Sequence, residues 1–385
     1  MTTMPKIALV HDWLIAFGGA EQALTTFTQI WPQAPIYTLL YDQKGPCGKE
    51  FAGKKIVTSS LQKFPGALKN HRNLLLFMPY AIEQLNLSDY DIIISGSHCV
   101  AKGVITKSSQ LHISYVYTPM RYAWDFYHEY MKNGGYDHGI KSSLVRMVLH
   151  YIRLWDYRTS NQVNEFLAIS NYVANRIWKV YRRNAKVIYP PVNVEKFSIK
   201  HNKDNFYLVV SRLVQYKRVD LIIEAFTKLP QKKLIIIGDG PMLKNYSAMA
   251  SPNILFLGYQ ERNKVIEYMQ NARALIFATE EDFGIVPVEA QACGTPVIAY
   301  GKGGALETIL SLENDPSPTG LFFYSQSVPA IIDAVNQFEN SQSSFIPENC
   351  RKNSLRFSTE RFKAEINEFV NQKFEVFKNG NLRTE

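Results

Sequence analysis

Two cations, Arg212 and Lys217, come after the apolar run Phe206 to Val210 and precede a helical stretch that opens near Val219. The carboxyl end of a strand beside a helix N-terminus offers free backbone N–H groups and a favourable dipole to anions, so these two side chains stand where a phosphate binds. Arginine brings a planar fork and lysine a point charge. Such a pair in isolation is equally at home in a solvated loop, and its weight comes from two segments further along the chain. Leu234 to Ile237 run into Gly238-Asp239-Gly240-Pro241, whose glycines permit positive φ and close approach to a ligand, although a turn of this kind is as often purely structural. The strongest segment is Glu280-Glu281-Asp282-Phe283-Gly284-Ile285-Val286-Pro287-Val288-Glu289-Ala290, a polar loop that opens a helix with Pro287 in its first turn. Glu281 and Asp282 suit a helix N-terminus simply as caps. Glu289, a turn further in, is a carboxylate able to accept from two adjacent hydroxyls, as a sugar or ribose diol presents them.

Elements that hold these residues are legible as alternating short apolar runs and amphipathic stretches, the pattern of parallel sheets covered on both faces. Strands are expected at Lys6 to Val10, Ile36 to Leu40, Tyr90 to Ser95, His112 to Tyr117 and Glu165 to Ile169. A second set is expected at Phe206 to Ser211, Lys233 to Ile237, Asn253 to Leu257, Ala274 to Ala278, Thr295 to Ala299 and Gly320 to Phe323. Ala20 to Ile30, Val219 to Leu229, Lys264 to Asn271 and Pro287 to Cys293 carry apolar residues at helical spacing. Pro190-Pro191 cannot continue a helix and reads as a stiff connector between two units. The tail from Ser358 to Lys378 reads as one amphipathic helix whose stripe Phe362, Ile366, Phe369, Val370, Phe374 and Phe377 must dock on something.

Bulk properties narrow the function classes. A chain of 385 residues with 46% hydrophobic and 20% charged residues suits two globular cores. Met1 to Lys6 lack the form of an export signal, and the longest apolar runs fall well short of the roughly 20 residues of a spanning helix. Cys47, Cys99, Cys293 and Cys350 lie far apart, with neither zinc-ligand nor redox spacing, and read as reduced cytosolic thiols. Up to Pro190 there are 21 Lys+Arg against 12 Asp+Glu, and beyond it 22 against 22, so the whole surplus of +9 sits in the first half. Nucleic acid, anionic lipid or a phosphorylated substrate could match it, but no nucleic-acid motif accompanies it, so no nucleic-acid partner is expected. The stretch from Lys44 to Arg72 holds seven basic residues against Glu50 alone and leads into Leu74-Leu75-Leu76-Phe77-Met78, which points to a membrane surface across residues 44–78, with a solvated loop and core helix as the alternative.

Taken together in order and spacing, Ser211-Arg-Leu-Val-Gln-Tyr-Lys-Arg-Val-Asp220, Gly238-Asp-Gly-Pro241, Glu281 to Glu289 and Tyr300-Gly-Lys-Gly-Gly-Ala-Leu-Glu307 resemble the large family 4 of retaining glycosyltransferases, in its bacterial mannosyltransferase-like branch of O-antigen and exopolysaccharide assembly. His11-Asp12-Trp13-Leu14, Gly18-Gly19-Ala20-Glu21, Ser97-His98, Thr118-Pro119-Met120-Arg121 and Tyr189-Pro190-Pro191-Val192 carry the resemblance across nearly the whole chain. It implies the α/β GT-B fold, two Rossmann-like doubly wound parallel-sheet domains facing each other across a cleft. The domains would be 1–190 for the acceptor, 191–355 for the nucleotide-sugar, and 356–385 as a helix crossing back to the first.

The same resemblance implies roles. Arg212 and Lys217 would neutralise the diphosphate in place of a metal, with no cofactor; Glu281, Asp282, Phe283, Gly284, Ile285 and Val286 would hold the transferred sugar and Glu289 the ribose. Gly238 and Gly240 would line the donor site, and Gly258 with Tyr259 would lie near the base. The N–H groups of Gly18 and Gly19 would approach the diphosphate and sugar. Many relatives carry a histidine before the Thr-Pro pair; here Tyr117 stands there, with Arg121 following, and His98 is the candidate to share the polar role. The implied reaction moves a hexose, by preference mannose from GDP-mannose and otherwise a UDP-linked sugar, to a lipid-linked or glycan acceptor, in the cytoplasm or on the inner face of the cell membrane. Against it stand a nucleotide-sugar epimerase, a Rossmann oxidoreductase, for which no G-x-G-x-x-G with a following acidic residue is present, and a non-catalytic nucleotide-sugar-binding subunit.

Overall fold

The computed structural model describes residues 5–136 and 138–381 and divides into two units, Met1–Pro191 with Phe362–Glu385, and Val192–Arg361. The break thus falls inside the Pro190-Pro191-Val192 connector, and the return to the first unit comes at Phe362 rather than at residue 356.

In the first unit seven parallel strands, β1 Ile7–His11, β2 Ile36–Thr38, β3 Ile56–Thr58, β4 Ile92–Ser97, β5 Leu111–Val116, β6 Glu165–Ala168 and β7 Ala185–Val187, lie in the order β3-β2-β1-β4-β5-β6-β7. Helices cover them, so β4 and β5 are buried at every position, including the polar Ser95, Ser97, His112 and Ser114. β3 and β7 have no counterpart among the expected strands. Each is a three-residue edge strand, and Ile56-Val57-Thr58 is half-buried and embedded in the basic stretch that the sequence assigns to the surface. The 21-residue helix Ile140–Ser160 is likewise unexpected, because apolar residues occur all round it.

The second unit holds six parallel strands, β8 Phe206–Val210, β9 Lys233–Ile237, β10 Ile254–Gly258, β11 Ala274–Phe277, β12 Val297–Tyr300 and β13 Gly320–Phe323, ordered β10-β9-β8-β11-β12-β13. Each sheet reverses its winding once, between β1 and β4 in the first and between β8 and β11 in the second. Ligands of open α/β sheets bind at the strands' carboxyl ends at such a switch point, because the loops there part in opposite directions. Arg212 and Glu281 come after β8 and β11; Asp12 and His98 come after β1 and β4.

The C-terminal helix Thr359–Asn381 buries Phe362, Ile366, Phe369, Val370 and Phe374, as the stripe required. Phe362 sits between Phe27 and Tyr115, ring centroids 5.5 and 5.6 Å away, and Lys373 Nζ reaches Glu165 Oε1 at 2.8 Å. Replacing Phe362 by Ala should therefore remove about 3–5 kcal/mol from the first unit. Hydrogen exchange should show lost protection in Gly19–Ile30 and β5 with little change in the second unit; unchanged protection there would mean that the helix does not anchor the first unit.

Candidate functional site

In the second unit, glycine fixes the loops at the switch point. Gly238 has φ +144° and Gly240 φ +157°, and a Cβ would lie 1.8 Å from Ser211 O at the first and 2.4 Å from Leu213 O at the second. The turn after β9 is thus pressed onto the loop after β8, where Leu213 N donates to Asp239 O at 2.9 Å and Met242 N to Leu213 O at 3.1 Å. The close approach that these glycines permit is to protein backbone, which sets the path of the chain carrying Arg212 and Lys217. Gly303 and Gly304 do the same for the loop after β11: added Cβ atoms would come within 2.4 Å of Glu281 O and 2.3 Å of Phe283 Cα, and Gly304 N donates to Glu281 O at 2.8 Å.

On this scaffold Lys217 Nζ forms an ion pair with Glu281, both side chains about one-fifth exposed. Arg212 is exposed and makes no ion pair among the described residues. Glu281 and Asp282 do not cap the next helix, since Gly284, at φ +88°, holds the N-cap position of Ile285–Ala292. Phe283 is buried, its ring 5.4 Å from that of Phe357, and Asp282 is buried beside it; Ile285 and Val286 are half-buried in the helix's first turn. Glu289 is buried and bound by Arg262 through both guanidinium terminal nitrogens, one contact being Nη1–Oε2 at 3.1 Å. Burial pushes the Glu289 carboxyl above its ordinary pKa, opposed by Arg262. Arg262 is absent from the sequence-derived candidates: it opens the helix Arg262–Asn271, and nothing local in the sequence ties it to a carboxylate in Ile285–Ala292. Gly258, at φ +64°, accepts from Gly238 N, and Tyr259 beside it is 76% exposed.

In the first unit one carboxylate organises the switch point. Asp12 is wholly buried just past β1 and accepts from four successive backbone N–H groups after β4, those of His98 (2.7 Å), Cys99 (3.0 Å), Val100 (2.6 Å) and Ala101 (2.7 Å). His98 Nδ1 lies 3.0 Å from the same carboxylate, while its side chain stays 26% exposed and packs edge-on to Trp13. Burial alone would raise the Asp12 carboxyl, but the charge and hydrogen bonds of His98 outweigh it and hold Asp12 down at about 2. Burial likewise favours a neutral His98, and Asp12 overrides it, raising the imidazole above 6.5.

Two candidate residues of this unit have protein partners for their polar groups. The N–H of Gly18, the N-cap residue of Gly19–Ile30, donates to Glu21 Oε2 at 2.8 Å. Gly19 is the first residue of that helix. The hydroxyl of Tyr117 donates to Ala20 O at 2.9 Å inside the core, which makes it a tether for the same helix end. Arg121 is half-buried with its guanidinium 5.4 Å over the Phe126 ring. All four cysteines are buried free thiols, and burial pushes Cys47, Cys293 and Cys350 up to about 12. Among the described residues no group of three or more His, Cys, Asp or Glu side chains is placed to hold a metal ion, and no helix is long and apolar enough to cross a membrane.

Residues 192–356 match the family described as glycosyl transferases group 1. The second unit is similar to that family over nearly its whole length. The match starts with the switch-point cluster's own unit, Val192–Arg361, and ends five residues before its last. An uncharacterised glycosyltransferase of Methanocaldococcus jannaschii is 28% identical over 236 residues, 58% of this chain and 64% of that protein. A GDP-mannose-dependent monoacylated alpha-(1-6)-phosphatidylinositol monomannoside mannosyltransferase of Corynebacterium glutamicum is 39% identical over 116 residues, 26% of this chain and 30% of that protein. The chain therefore matches less than two thirds of the length of either. Among solved structures, Anabaena HepE in complex with UDP and glucose superposes with a TM-score of 0.71 at 18% identity, covering 95% of this chain and 99% of that one. The two-domain parallel-sheet architecture is thus that of the GT-B glycosyltransferases.

The Asp12–His98 pair has a definite pH window. Its stabilisation is complete between the usual carboxylate and imidazole ranges, declines as pH falls through about 2 for Asp12, and declines as pH rises through the raised value for His98. An NMR titration of the His98 ring should give a midpoint above 6.5, and Asp12→Asn should lower it, since burial is then opposed only by the charge of Glu21. A wild-type midpoint below 6.5 would contradict the pairing.

Proposed function

We propose that the chain is a retaining, metal-independent glycosyltransferase that moves a mannosyl group from GDP-mannose to a lipid-linked or glycan acceptor in cell-surface glycan assembly. The observation that carries this reading is the second unit's switch point, where the loop after β8 carries an exposed arginine and a lysine paired with a glutamate of the loop after β11, and the helix Ile285–Ala292 that follows holds a buried glutamate. The activity of the Corynebacterium relative favours GDP-mannose and a lipid acceptor, while the UDP in the Anabaena structure makes a UDP-sugar the next choice.

Arg212 and Lys217 act on the diphosphate. As the glycosidic bond breaks, negative charge grows on the leaving phosphate, and two fixed cations stabilise that developing charge more than the ground state. They supply the charge that a divalent ion would otherwise bring. Glu281, held by the Gly303-Gly304 turn, accepts from hydroxyls of the transferred sugar. Glu289 has about four acceptor positions on its two oxygens and spends two on Arg262, leaving the others for the ribose diol. Arg262 fixes the plane in which those lone pairs point. Tyr259 offers an exposed ring face beside the base. Retention results from attack on the face that the phosphate leaves. His98, whose imidazole Asp12 raises above its ordinary pKa, would take the polar role that the resemblance gives to a histidine before the Thr-Pro pair in relatives. Residues 44–78 leave Phe64, Leu76 and Phe77 exposed beside Lys63, Lys69 and Arg72, as contact with anionic lipid near the acceptor requires.

Thermal unfolding in EDTA with GDP-, UDP-, ADP- and dTDP-sugars tests the donor half. The preferred donor at one hundred times its dissociation constant should stabilise by about 2.7 kcal/mol. Arg212→Ala and Glu289→Ala should abolish that shift. Lys217→Ala should lower kcat by about 10²–10³-fold, the loss expected for one donor to developing charge. Stabilisation without any turnover would replace the enzyme by a nucleotide-sugar-binding subunit, and no shift with any sugar would overturn the donor assignment.

A further inference from the structure

Helix Ile140–Ser160 presents a continuous apolar stripe to solvent: Ile140 (91% exposed), Leu144, Met147 (69%), Tyr151 and Leu154 recur at alternating spacings of four and three. At 1.5 Å per residue the stripe runs about 21 Å. Core residues do not explain it, because a different face of the helix is already committed. Leu149, Ile152 and Trp155 are buried, Trp155 Nε1 donates to Glu83 Oε1 at 2.6 Å, and Asp156 pairs with the buried Lys102 at 2.8 Å. The helix is therefore seated firmly on the first unit with its stripe facing outward.

Charge identifies the occupant. Lys141, Arg146, His150 and Arg158 are exposed around the stripe, whereas the helix's single carboxylate, Asp156, is the buried partner of Lys102. A second copy of the same helix would set two basic faces against each other, whether parallel or antiparallel. A helix with an apolar stripe and a basic border instead has the form that lies flat in the headgroup layer, side chains reaching the acyl boundary and cations meeting lipid phosphates. The basic surplus of the first half of the chain is of the matching sign. We propose that Ile140–Ser160 docks the first unit on an anionic membrane surface, with Ile140, Leu144, Met147 and Leu154 inserted. Contact of this helix with lipid is independent of the donor reading, since it uses no residue of the donor cluster. The hydrogen bond from Trp155 to Glu83 ties it to Met78–Glu83, next in sequence to the exposed Phe77.

The test is sedimentation of the full chain with vesicles of phosphatidylcholine alone or mixed with phosphatidylglycerol. Binding is expected to the mixed vesicles only and to fall with salt. Leu144→Asp with Met147→Asp should reduce partitioning at least tenfold, and Lys141→Gln or Arg146→Gln about fivefold each, the conversion of roughly 1 kcal/mol per charge. These positions are exposed, so unchanged melting temperatures should accompany the losses. Equal binding to both vesicle types, no binding, or binding that survives the aspartates and is lost in Phe77→Asp would overturn the proposal. So would a dimer by light scattering that Leu144→Asp dissociates while vesicle binding is absent.

Discussion

The geometry of the second unit's site depends on backbone packed directly on backbone where side chains would ordinarily intervene. Four loops leave the carboxyl ends of β8, β9, β11 and β12, and at two places they meet closely enough that only a hydrogen fits on Cα: Gly238 and Gly240 over Ser211 and Leu213, and Gly303 with Gly304 over Glu281 and Phe283. At the first of these places the glycines have φ values that side chains rarely adopt. Arg212, Lys217 and Glu281 are therefore carried on loops braced by neighbours and not on free excursions from the sheet. A mobile loop would spend much of a cation's binding energy on its own ordering; a braced one keeps it for the ligand.

The first unit meets the same demand with charge. Four consecutive N–H groups after β4 would be orphaned inside the protein, and Asp12 satisfies all four while remaining ionised. Removing that carboxylate would leave several buried donors unpaired at once, each costing about 1–3 kcal/mol, so the aspartate is fixed by structure before any chemistry is asked of it. Its hold on His98 is a consequence of the same geometry. Glu21 repeats the device on a smaller scale, taking both Gly18 N and His11.

Most of the architecture is legible in the sequence because parallel strands buried on both faces leave largely apolar runs, and those central runs match the strands to within about two residues. The elements that are not legible share one physical origin. β3 and β7 sit at edges, where half-burial over three residues leaves no pattern, and Ile140–Ser160 carries apolar residues outside as well as inside. In the sites, residue types along a strand end or helix start point to Arg212, Lys217, Glu281 and His98, all of which stand at switch points. Partnerships are not legible: Arg262 meets Glu289 across 27 residues, and Asp12 meets His98 across 86. Tyr117 and Gly18 lie in the expected neighbourhood, yet their polar atoms are spent on Ala20 and Glu21, a distinction of which atom points where that spacing cannot carry.

Pairing also bears on how such a site takes up an anion. Lys217 is largely buried, and a bare ammonium there would carry a desolvation cost; Glu281 offsets it. On the proposed reading a diphosphate approaching Lys217 exchanges one anionic partner for another, so the ammonium never loses a counter-charge, while Glu281 turns from the lysine to the sugar hydroxyls. Arg212, exposed and without an ion pair among the described residues, has no partner to surrender and can meet the incoming charge first. The two cations would then differ in timing: Arg212 would govern capture of the donor, and Lys217, released from Glu281 only when the sugar is seated, would couple the stabilisation of the leaving phosphate to correct placement of the group being transferred.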